Sequence, residues 1–128
     1  MSVLKETRKT LEALAADTEV PMSGGVHYGM CREKDLPEWN YFVFNRLKTA
    51  KSSNRMDRQT YYQVHVIHED FIPEGYIEKV IETLQAQCAG AKLKQTDDDV
   101  LYNYVPKGKT NLVAEIATIT LVHPEKRC

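Results

Sequence analysis

Two stretches decide how this chain folds: Trp39-Asn40-Tyr41-Phe42-Val43-Phe44 and Thr60-Tyr61-Tyr62-Gln63-Val64-His65-Val66-Ile67-His68. In the first, Trp39, Tyr41 and Val43 fall on one side of an extended chain and Phe42 and Phe44 on the other. Aromatic and β-branched side chains on both faces predict a strand near the centre of a sheet. In the second, Tyr62, Val64 and Val66 alternate with Tyr61, Gln63 and His65, which predicts one buried and one more polar face. The two should pair antiparallel. Between them Lys48 to Gln59 is rich in Ser, Asn, Lys and Arg and lacks a tight-turn dipeptide, so residues 48–59 are expected to form a long, mobile loop within the sheet.

Upstream, Ser2 to Ala16 carries Leu4, Leu11 and Leu14 on one side and Lys5, Glu6, Arg8, Lys9 and Glu12 on the other, placing an amphipathic N-terminal helix within residues 1–17. Ser2 stands where an N-cap would, but Lys5 replaces the glutamate of a capping box. Val20 to Gly25 contains a proline and two glycines and reads as a loop; Val26 to Met30 is a weak strand. Downstream, Pro73-Glu74 suits a helix start, and Ile77, Val80, Ile81, Leu84 and Cys88 form an apolar stripe ended by Gly90. Lys92 to Thr96 and Val100 to Val105 flank Asp97-Asp98-Asp99 and are expected to form a hairpin. Lys107-Gly108-Lys109 is a further turn, and Leu112 to Val122, ended by Pro124, is the most strand-like segment. The expected class is α+β: a mostly antiparallel sheet of about four to six strands with an N-terminal helix and a second amphipathic helix packed on it.

With 128 residues, 42% of them apolar and 27% charged, residues 1–128 should form a single folded domain. Seventeen Lys and Arg against 18 Asp and Glu leave a net charge of −1, which argues against a dedicated DNA-binding domain. No run of apolar residues is long enough for a membrane helix, and Met1 to Glu6 has no apolar signal segment, so a soluble protein made in a cytoplasm is expected. Cys31, Cys88 and Cys128 are odd in number and widely spaced, which suits reduced thiols rather than a disulfide framework or zinc ribbon. Cys88, on the helix stripe, reads as a small core residue.

His65 and His68 would point to opposite faces of one strand and could not share a metal. His27 and His123 have no neighbouring ligands in sequence, and the glycines match no phosphate-binding loop. Asp97 to Asp99 lack the spacing of a calcium loop and read as a solvated turn. No catalytic, metal or cofactor residues are therefore assigned. One cluster stands out: Arg46, Lys48, Lys51, Arg55 and Arg58 put five positive charges within thirteen residues, opposed by Asp57. With Met56 as an apolar anchor, they form a candidate contact arm for an acidic partner or another subunit. Nucleic acid suits it less, since the loop has no aromatic stacking platform.

The order of an N-terminal helix, the Trp39 to Phe44 strand, a long polar loop, the Tyr61 to Val66 strand and a helix after Pro73 resembles the tail terminator and minor tail proteins of long-tailed bacteriophages and prophages. The resemblance spans roughly Leu36 to His123. It implies a non-enzymatic virion protein, assembled in the bacterial host cytoplasm, that forms a homo-oligomeric, typically hexameric ring on the head-proximal end of the tail tube. Such a ring stops tube growth and meets the head connector, with no cofactor, membrane or sequence-specific nucleic acid involved. The loop would order on assembly. Because DNA-passing lumens of such rings tend to be acidic, the basic loop would face a neighbouring subunit or the tube. Two other readings are a small α+β enzyme using His65 or His68 as a base with a carboxylate such as Glu115, and a nucleic-acid adaptor acting through the basic loop.

Overall fold

The computed structural model describes residues 3–17, 19–31, 38–51, 57–86, 93–95, 100–106 and 112–126, without the side chains of 51, 57, 58 and 124–126. In chain order the elements are α1 (Val3–Ala15), β1 (Val26–Tyr28), β2 (Tyr41–Lys51), β3 (Asp57–Glu69), α2 (Tyr76–Gln85), β4 (Lys94–Gln95), β5 (Leu101–Pro106) and β6 (Val113–Lys126). They form an α+β domain. One six-stranded sheet runs β1-β2-β3-β6-β4, with β5 also on β6; all pairs are antiparallel except β1 with β2.

The alternation of the two deciding strands is realised in the packing. Phe42, Phe44, Tyr62, Val64 and Val66 point to one face, joined there by Ala117, Ile119 and Leu121 of β6. Both helices cover that face. α2 supplies Ile77, Val80 and Leu84, as its stripe predicts, together with Tyr76. α1 supplies Val3, Thr7, Leu11 and Leu14, so Thr7 sits in the stripe where Leu4, only partly buried, was expected. Among the described residues the opposite face carries no helix. It holds a small cluster of Val43, Ile67 and Ala114 with Trp39, Tyr41 and half-buried Cys31 packed against it.

Several boundaries differ from the sequence reading. The expected loop at 48–59 is much shorter, because Lys48 to Lys51 pair with Tyr61 to Arg58 and extend the β2–β3 ladder; only 52–56 intervene, outside the described residues. The expected hairpin across Asp97 to Asp99 does not form. β4 and β5 both lie on β6, Lys94 and Gln95 opposite Val122 and Leu121, and Leu101 to Pro106 opposite Thr118 to Val113. They act as one interrupted edge strand, with five residues (96–100) on this side between pairs separated by Ile119 and Thr120 on β6. Pairing with a long apolar strand outweighs the local turn signal.

α2 starts at Tyr76, not Pro73, behind Gly75 in the left-handed conformation (φ 83°), and ends at Gln85. Cys88 and Gly90 lie outside the described residues, as do Ser2 and Cys128. β6 runs past Pro124, which opposes Gln59 on β3. Proline is tolerated in a strand whose other flank leaves a missing donor unneeded. Gly24 is needed for close approach, since a Cβ there would come within 2.9 Å of the Asn40 carbonyl oxygen and of the Tyr41 Cβ.

Candidate assembly surfaces

Among the described residues the sheet leaves two free edges, on opposite sides. On the first, β1 covers only Phe42 to Phe44 of β2, so Asn45 to Lys51 has no strand on its outer flank among the described residues. A β-bulge interrupts this segment. Arg46 opposes Tyr62 and Lys48 opposes Tyr61, leaving Leu47 as the extra residue. Without the bulge, Arg46 and Lys48 would share a face; with it, Arg46 stands on the helix-bearing side and Lys48 on the bare side. The Lys48 ammonium lies 4.8 Å from the Tyr61 ring centre. Leu47, 46% exposed, sits between these two cations.

Of the predicted contact residues, the structure thus joins Arg46 and Lys48 around an apolar knob. It sets the backbones of Lys51 and Arg58 opposite each other across the hairpin. Arg55 and Met56 lie outside the described residues.

The second free edge is β5. Leu101 (62% exposed) lies on the bare side, while Tyr102 and Tyr104 (61% exposed) lie on the helix-bearing side, so apolar surface wraps around the strand. Beside the tyrosines a shallow depression of about 340 Å³ opens at the start of α2, lined by Tyr102 and the carboxylates of Glu74, Glu78 and Glu115. Glu115 is fixed from both sides: Oε1 accepts the Ile72 N–H at 2.9 Å and Oε2 accepts the Tyr104 hydroxyl at 2.9 Å. That bond raises the Tyr104 phenol above its ordinary pKa. No sequence motif marks this edge, although the exposure of Tyr102 and Tyr104 follows once the strand is known to be terminal.

The strand histidines are used structurally. On the bare face Asn45 Nδ2 donates to Gln63 Oε1 and to the Arg46 carbonyl, which leaves Asn45 Oδ1 to accept His65 Nε2–H at 3.0 Å. His65 Nδ1 then accepts the Thr118 hydroxyl at 3.0 Å, and burial lowers its pKa. The ring bridges β2 and β6 across β3. His68 points to the other face, as expected, and donates Nδ1–H to the Glu69 carbonyl at 2.8 Å. Glu115 opposes it in register but spends its oxygens on Ile72 and Tyr104. His27 donates Nε2–H to the Gly24 carbonyl. Among the described residues no group of three or more His, Cys, Asp or Glu could hold a metal ion, and no helix is long and apolar enough to cross a membrane.

A broader groove lies between α1 and β1, with Arg8, Glu12, Tyr28 and Met30 on its walls. The Arg8 guanidinium carbon lies 5.4 Å from the centre of the Phe44 ring, which lines a separate, smaller depression with Leu4, Lys5 and Tyr28. No protein-family model and no curated protein matches the chain.

Proposed function

We propose that this is a structural assembly protein of a phage or prophage tail, a tail terminator or head–tail joining component. It forms a closed ring, typically of six copies in the family it resembles, on the tail tube and presents a surface to the head connector. It acts in the virion tail after assembly in the host cytoplasm, through interfaces rather than a reaction. The observation that carries this reading is the pair of dissimilar free edges. One is basic around Leu47, and the other is aromatic and acidic around Tyr102 and Tyr104. Two different patches on one small subunit are what a heterologous, head-to-tail contact needs, and such contacts close into rings when the rotation allows. The element order, with two helices on one face of a mostly antiparallel sheet, supports the same reading.

The test is light scattering behind size exclusion, with negative-stain microscopy of the peak and pull-down of tail-tube and connector proteins. Annular oligomers, or capture of those proteins, support the reading. A strict monomer at high concentration and low salt that binds neither would refute it. Binding to duplex DNA that weakens steeply with salt, without oligomers, would favour the adaptor reading instead.

A further inference from the structure

The assembly reading does not say which surfaces meet. The charges and the edges together do. β2, β3 and β6 run so that Arg46, Lys48 and the backbone ends at Lys51, Arg58 and Lys126 lie toward one end of the sheet, accompanied there by Asp57 and Glu125. Glu69, Asp70 and Glu115 lie at the other end, where Glu115 shares a depression with Glu74 and Glu78, before and within the first turn of α2. Lys79, the described cation of that first stretch of α2, is already paired with Asp17. The basic end sits on the free edge of β2, and the acidic end on the free edge of β5.

Resting on the assembly reading, we propose that the β2 edge of one copy docks on the β5 edge of the next. Leu47 sets its side chain among Leu101, Tyr102 and Tyr104. Arg46 and Lys48 meet Glu74, Glu78 and the rim around Glu115. The occupant is a second copy because each edge carries what the other lacks. The knob is apolar between two cations, and the seat is aromatic beside three carboxylates. Cations on a free edge also repel an identical edge, so β2 is barred from pairing with β2 while β5 accepts it. The arrangement is directional: the two patches differ, every copy keeps one of each, and growth continues until the ring closes.

Two double variants test it, both at exposed positions: Arg46→Glu with Lys48→Glu, and Glu74→Lys with Glu78→Lys. Each alone should weaken self-association about tenfold or more, since like charges then face each other, while thermal melts stay close to the parent. Mixing the two variants should restore growth of alternating oligomers, because the reversed β2 edge of one meets the reversed β5 seat of the other and the two unchanged edges meet each other. A chain carrying all four changes should regain higher oligomers. If the parent oligomerises and neither variant alters it, the assembly reading stands and this docking is wrong. If either variant loses assembly but the four-change chain and the mixture both fail to recover it, the pairing of these two edges is likewise refuted. If the parent stays monomeric at low salt and captures no tail protein, both fall.

Discussion

The two flanks of β6 could hardly be more different. Toward β3 it makes an unbroken ladder from Ala114 opposite Glu69 to Lys126 opposite Asp57, with Ala117, Ile119 and Leu121 fully buried beneath the helices. Toward the outside, among the described residues, it meets the interrupted strand of β4 and β5, whose Leu101, Tyr102 and Tyr104 stay exposed. The first flank takes its stability from burial within the subunit. The second leaves apolar side chains and a strand edge uncovered, a liability in a monomer and a resource in an assembly.

Breaking the inner flank should give the largest effect. Ile119→Ala removes a fully buried side chain from the centre of the core and should cost about 2–5 kcal/mol, measured by urea unfolding. Leu84→Ala, on the helix that covers the same flank, should fall in the same range of about 2–5 kcal/mol. Next comes the residue that ties the flanks together. Glu115→Ala leaves the N–H of buried Ile72 without its acceptor, while the exposed Tyr104 hydroxyl turns to water, and should cost about 1–3 kcal/mol, whereas Glu115→Gln keeps an acceptor for Ile72 and a partner for Tyr104 and should recover most of it. A denaturation midpoint that falls equally for both variants would contradict these roles.

His65 sharpens the contrast through pH. Its folded pKa lies below the ordinary 6.5, so as pH falls the unfolded chain takes up the proton first. The stability held by the neutral ring is complete above about 6.5 and is lost progressively as pH drops toward the folded value. His65→Gln should flatten that part of the pH–stability curve, followed by thermal melts from neutral to mildly acidic buffer. The smallest effect on folding belongs to the outer flank. Leu101→Ala should change monomer stability by no more than about 0.5 kcal/mol while weakening self-association measured by sedimentation, which separates folding from assembly.

Much of the inner flank was legible in the chain. Tyr62, Val64 and Val66 alternate with polar neighbours, and Ile77, Val80 and Leu84 recur at helical spacing, so covered and bare faces follow from period alone. The free edges were not legible, for physical reasons. The bulge at Leu47 has no glycine to mark it; it is set by the ladder with Tyr61 and Tyr62, and it alone sends Arg46 and Lys48 to opposite faces. Asp97 to Asp99 look like a hairpin turn locally, but β5 pairs instead with the strand that follows it, from Pro106 opposite Val113, and β4 reaches the distant Leu121 and Val122 of that same strand, so pairing with β6 overrides the local signal. Thr7 lies in the core and Leu4 at its margin because burial depends on how α1 crosses the sheet, which the helix's own sequence does not encode. Of the six basic-arm residues chosen from sequence, Arg46 and Lys48 are the ones whose side chains the structure places, and both flank the knob. Their carboxylate counterparts come from two distant stretches, Glu74 and Glu78 at the start of α2 and Glu115 on β6, which only the fold brings together.

Hydrogen exchange measured at increasing protein concentration tests the contrast between the flanks most directly. The amides of 114–126 paired with β3 should exchange slowly at every concentration. The outward-facing amides of 101–105 and 45–50 should exchange quickly when dilute and slow together as copies associate, with the effect reversed by salt. If the outward-facing amides of 101–105 exchange at one rate from dilute to concentrated protein while oligomers form, the β5 edge is not the assembly surface.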